Sequence, residues 1–245
     1  CSGSMKSDGK IQALNTAIRE AVPHMQRVAD ENPNAHVLVR AVRFSNGAQW
    51  HVAQETPVAD FRWSDLTADG TTDMGKALTL LASQLEIPPM SERALPPVLV
   101  LISDGQPTDN FKKGLAALMD QPWGKKAVRI AIAIGDDADR DVLQQFIGHP
   151  ELRPLEANNP EALVNSIKWV STAVLQAASS PASQVQPSVS TSPTGASQSQ
   201  TIGSASSLAA PPPVGPVAPA SPVTNVPIPA LLQPVASPSS AADVW

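Results

Sequence analysis

Val98-Leu99-Val100-Leu101-Ile102-Ser103-Asp104-Gly105 is an apolar run that ends in a hydroxyl, a carboxylate and a glycine. Its near-continuous β-branched and leucine side chains predict a strand buried on both faces, as in a parallel sheet. Val128 to Ile134 predicts a second buried strand. Further upstream, His36 to Phe44 is rich in β-branched residues and reads as a strand. Asn46-Gly47 is a hairpin signal, so Ala48 to Ala53 is expected to return antiparallel.

Helical patterns fill the spaces between these runs. Ile11, Leu14, Ile18, Val22, Met25 and Val28 recur at three- and four-residue steps and predict a helix from Ile11 to about Asn32. Pro23 lies inside it and is expected to kink or split it. Asp73–Leu85, Phe111–Met119, Asp139–Ile147 and Pro160–Ala177 read as further helices, the last with Pro at its first turn. Leu152–Leu155 reads as a short edge strand. Strands alternating with helices imply parallel crossovers. The expected fold is a doubly wound α/β domain, its sheet mostly parallel with one antiparallel edge strand.

Such sheets bind ligands at the carboxyl ends of their strands. Asp104 is predicted at one such end. Ser2 and Ser4 flank Gly3, whose freedom permits a tight turn that points both hydroxyls the same way. Thr72, in Gly70-Thr71-Thr72-Asp73-Met74-Gly75, offers a third hydroxyl from a second loop. Neutral oxygens with one carboxylate suit a hard dication that keeps several waters, Mg²⁺ above all. The ordinary alternative is turn chemistry: serine and Gly-Thr-Thr-Asp as helix caps, Asp-Gly as a turn.

In this order the three stretches resemble the metal-ion-dependent adhesion site (MIDAS) of von Willebrand factor A (vWA) domains, over residues 1 to about 178. Ser-Gly-Ser-Met, Thr-Asp-Met-Gly and Ser-Asp-Gly-Gln-Pro-Thr-Asp are most similar to bacterial members of the tellurium-resistance type. The family's threonine lies three residues before a glycine, which selects Thr72 over Thr71. The resemblance implies Mg²⁺ or Mn²⁺ at Ser2, Ser4, Thr72 and Asp104, and binding of a partner's Asp or Glu through that ion. For some relatives it implies work beside a protein kinase and a phosphatase in a bacterial signalling or stress system. In the family an Asp precedes the serines, here one residue before Cys1. The expected reading is therefore a chain truncated before its first strand, which would lie between the strands at 36–44 and 98–103. A mature lipoprotein cysteine and a processed junction are the competing readings.

The chain has 245 residues, 25 prolines, a net charge of −5 and one cysteine. Acidity without a basic stripe argues against nucleic acid. A lone cysteine gives secretion no support, no apolar run reaches membrane-span length, and a cytoplasmic location is expected. From Ser179 to Trp245 the composition turns to Ser, Pro, Ala, Val and Gln, with Asp243 the sole charge. Residues 179–245 are expected to be a disordered tail.

Other chemistry-bearing residues read as structural. Asp137, Asp139 and Asp141 lack the glycine and glutamate of a calcium loop and suit an acidic helix start. His24, His36, His51 and His149 share no ligand spacing. Asp109 is expected to cap the helix that follows it. Trp50, Trp63, Trp123 and Trp169 are expected in packing, with Trp63 on a loop able to reach the metal face. No nucleophile elbow, P-loop or paired acid and base appears, so no enzyme is expected. The favoured function is a metal-dependent protein-binding module. The alternatives are an adaptor acting through its proline-rich tail and, less favoured, a hydrolase.

Overall fold

The computed structural model describes residues 1–31, 36–92 and 94–174. The predicted tail and the 178/179 boundary lie outside the described residues. A 3-10 segment, Gly3–Gly9, leads into α1 (Lys10–Asp30). The hairpin β1 (Leu38–Ser45) and β2 (Gly47–Pro57) follows, then α2 (Met74–Ala82) and β3 (Val98–Ser103). Next come α3 (Phe111–Asp120), a short α4 (Pro122–Lys126), β4 (Val128–Ile134) and α5 (Arg140–Ile147). The strand β5 (Leu155–Ala157) and α6 (Pro160–Trp169), continued by a π-type turn Val170–Val174, close the described chain.

The alternation of strand and helix gives the α/β fold its parallel part. β3, β4 and β5 pair in that order, all parallel, with Val98 opposite Val128 and Ile132 opposite Leu155. Period-two geometry sorts β4 side chains to two layers. Ala131 and Ala133 join Leu99, Leu101, Met74, Leu118 and Leu143 in one core. Ile132 and Ile134 join Leu14, Ala17, Leu163 and Ile167 of α1 and α6 in the other. β4 is thus sealed on both faces.

β1 and β2 form the antiparallel pair, with Ser45 opposite Gly47 across Asn46. Among the described residues no strand pairs with the other edge of β1, or with the edge of β3 opposite β4. An apolar cavity of about 310 Å³ lies between them, lined by Val39, Val42, Val100, Ile102, Leu14 and Leu78 among others. The carboxyl ends of β1 and β3 both reach the Cys1–Ser4 segment, through Phe44 and Asp104. The two edges therefore run in the same direction.

Three sequence expectations change in detail. α1 runs unbroken through Pro23. Burial of Ala17, Ala21, Val22 and Val28 on one face outweighs the roughly 3 kcal/mol that an interior proline costs. β3 is not sealed on both faces, because Val100 is 40% exposed toward the cavity side. The short edge strand lies at Leu155–Ala157, two to three residues later than expected.

Two glycines set how closely α2 and α3 cross. A Cβ on Gly114 would meet the Gly75 backbone, and one on Gly75 would meet the Asn110 carbonyl. This contact lays the loop before α3 directly over the amino end of α2.

Candidate metal centre

Ser2 begins the 3-10 segment but makes no side-chain cap there. Its hydroxyl instead donates to Asp104 Oδ1 at 3.0 Å, across 102 residues of sequence. The Ser4 hydroxyl donates to the same oxygen at 2.9 Å, and the two serine oxygens stand 2.9 Å apart. Turn chemistry therefore does not explain these serines. Asp104 is 1% exposed, and its other oxygen, Oδ2, has no hydrogen-bond partner. A buried carboxylate oxygen without a donor is costly. The nearest cation to it is Lys10, itself buried, with Nζ at 3.8 Å.

Backbone bonds hold the loops around this cluster. Gly3 N–H donates to Gly70 O at 2.9 Å, and Asp69 N–H donates to Cys1 O at 2.8 Å. A side chain at Gly3 would crowd Gly70 O. Cys1 N donates to Phe44 O at 2.9 Å.

Thr72 is buried on the second loop. Its N–H donates to Thr108 Oγ1 at 2.9 Å, and Thr108 N–H donates back to Thr72 O at 3.0 Å. This pair fastens the Thr72 loop to the loop that follows Asp104. Ser2, Ser4 and Asp104 thus form one hydrogen-bonded cluster, and Thr72 stands on a loop bonded to both of theirs.

Asp73 is the cross-brace. Its N–H donates to Ser45 O, and its carboxylate accepts from Lys76 Nζ at 2.6 Å, Gly47 N–H at 2.8 Å and Thr108 Oγ1 at 3.1 Å. The Lys76 hydrogen bond, with help from Gly47 and Thr108, holds its carboxyl down at about 2. Asp73 raises Lys76 in return.

Asp109 corrects an expectation. It caps α2 rather than α3: Oδ1 accepts from Gly75 N–H at 2.8 Å and Oδ2 from Lys76 N–H at 2.7 Å. Asn110 caps α3 instead, accepting from Lys113 N–H. The Gly75–Asn110 approach brings Asp109 to the neighbouring helix end, which sequence spacing does not reveal. Trp63 also turns away from the metal face, its Nε1 donating to Asn15 Oδ1 on α1 at 3.0 Å. Asp139 caps α5 through Val142 N–H, as an acidic helix start.

Sequence reasoning overlooked Lys10 and Thr108. Lys10 carried a signal: with Leu14, Ala17 and Ala21 it falls on the buried face of α1. Thr108 carried none, since its bonds are to residues 35 and 36 positions away.

Among the described residues no group of three or more His, Cys, Asp or Glu gathers. The donors here are hydroxyls beside one buried carboxylate with an unpartnered oxygen, a set that fits a hard dication retaining water. No helix among the described residues is long and apolar enough to cross a membrane.

A model of the von Willebrand factor type A domain matches residues 1–168. No curated protein matches the chain. Among solved structures, a von Willebrand factor type A protein from Catenulispora acidiphila is similar at 16% identity and TM-score 0.53, covering 70% of this chain and 40% of that one. Proximal thread matrix protein 1 from the mussel byssus, solved with a zinc-occupied MIDAS motif, is similar at 19% identity and TM-score 0.52, covering 69% and 44%. Those likenesses speak to the fold, and this chain spans less than half the length of either structure. With the family model covering residues 1–168, the chain belongs to the von Willebrand factor type A domain family, often metal-dependent and mediating protein interactions.

Proposed function

We propose that the chain is a metal-dependent protein-binding module and not an enzyme. The observation that carries this reading is the convergence of Ser2 and Ser4 on one oxygen of buried Asp104 while its other oxygen lacks a donor. Ser2, Ser4, Thr72 and Asp104 would hold Mg²⁺ or Mn²⁺. The zinc in the mussel protein's MIDAS motif makes Zn²⁺ a further ion to test. When bound, the ion supplies a Lewis-acid centre that hydroxyls and one carboxylate leave under-neutralised, so an Asp or Glu of a partner completes it. The chain's own part is to fix the hydroxyl directions, keep Asp104 dry and hold the three loops together. The motif stretches of tellurium-resistance type favour a partner from a bacterial kinase–phosphatase system.

The test is Mn²⁺ binding by calorimetry, followed by capture of acidic partners with and without EDTA. Asp104→Ala should abolish both. Thr72→Ala should weaken both less, since water replaces one hydroxyl. Capture that survives EDTA and Asp104→Ala would sink the metal bridge and favour an adaptor acting through residues 179–245.

A further inference from the structure

We propose that Lys10 is the resident counter-ion of Asp104, and that it sets how tightly the site holds a metal. This inference rests on the metal reading above and deepens it. Lys10 opens α1 on the helix's buried face. Its side chain is 6% exposed, its ammonium lies 3.8 Å from Asp104 Oδ2, and a Cβ at Gly135, just past β4, would lie against its terminal atoms. Burying an ammonium costs several kcal/mol unless an opposite charge is close. The carboxylate has the same problem, and its two oxygens divide the solution. Oδ1 takes the serine hydroxyls, and Oδ2 faces the lysine.

This division has a consequence for charge. Without a metal, Lys10 keeps Asp104 from being a buried, uncompensated anion. A bound dication would itself neutralise Asp104, and Lys10 would then be a like charge held nearby. The lysine thus supports the empty site and opposes the filled one. Occupancy becomes reversible, and the bound ion keeps more of its pull on an incoming carboxylate.

The test uses the full chain with Mn²⁺ as the probe. Lys10→Met should melt earlier than wild type without metal. It should bind Mn²⁺ about tenfold more tightly, the scale of removing one like charge from a partly buried ion site. Saturating Mn²⁺ should raise its melting point by more than that of wild type. Lys10→Arg, which keeps the charge, should bind Mn²⁺ as wild type does. Should Lys10→Met fail to fold, the double variant Lys10→Met/Asp104→Asn decides, because removing both charges should restore folding. A double variant as unstable as the single one would show that only the lysine stem matters and overturn the proposal. Equal or weaker Mn²⁺ binding by folded Lys10→Met would also overturn it while leaving the metal reading intact. Absence of Mn²⁺ binding in wild type and Lys10→Met alike would overturn both.

Discussion

The molecule's two sides are built differently. Around β4, order comes from apolar burial: Ala131, Ile132, Ala133 and Ile134 are all fully covered by helices on two faces. Between β1 and β3, the apolar surfaces face a cavity of about 310 Å³, and Val100 stays 40% exposed. Yet the carboxyl ends of these same strands are joined by polar bonds: Cys1 to Phe44, Asp73 to Ser45 and Gly47, and both serines to Asp104. Among the described residues, hydrogen bonds between loops hold the candidate site together. Packing sets the fold's stability on one side, and loop stitching sets the site's geometry on the other.

Substitutions can break that contrast. The largest effect belongs to the sealed side. Ile132→Ala should lower unfolding free energy by about 2–5 kcal/mol, the usual cost of truncating a fully buried large aliphatic residue. Chemical denaturation measures it, and a loss well under 1 kcal/mol would show that β4 is not the core.

At the junction of the two sides, Gly75→Ala should cost about 1–3 kcal/mol, because the new methyl meets the Asn110 carbonyl. It should also weaken Mn²⁺ binding, since the α2–α3 contact positions the loops that carry Thr72 and Thr108. Stability lost without any change in Mn²⁺ affinity would separate the stitching from the site.

Asp109→Ala removes the acceptor for Gly75 and Lys76 N–H at the start of α2. It should cost about 1–2 kcal/mol, as other cap removals do. It should also weaken Mn²⁺ binding, because Asp109 holds the start of α2 just after the Thr72 loop. Asn110, by contrast, caps α3 through Lys113 N–H, so Asn110→Ala should cost stability without touching metal binding. A matching loss of Mn²⁺ affinity in both variants would erase the distinction.

The smallest change is expected at the open side. Val100→Ala should shift stability by no more than about 0.5 kcal/mol, as for surface substitutions. A cost near that of Ile132→Ala would mean that the cavity between β1 and β3 is closed in solution.

Much of this was legible in the chain. Apolar runs at Val98–Ser103 and Val128–Ile134 mark strands because a sheet sandwiched by helices leaves no polar face. The turn at Asn46-Gly47 and the helix from Ile11 onward follow from local preferences and period alone. Ser2, Ser4 and Asp104 were legible as residue types at loop positions suited to a dication. The partners of Asp109 and the role of Thr108 were not, because a cap or brace can come from any residue that folding brings near.

The sequence by itself determined the alternation of the strands and the longer helices, though not the short α4, and also the hairpin and which residue types could meet a hard cation. Those are local matters of period, turn chemistry and ligand softness. Only the tertiary structure decided that Val100 stays exposed beside a cavity, that Asp109 serves α2, and that Lys10 stands behind Asp104. Each depends on contacts between residues far apart in the chain, where close approach and shared burial, not local propensity, set the energy.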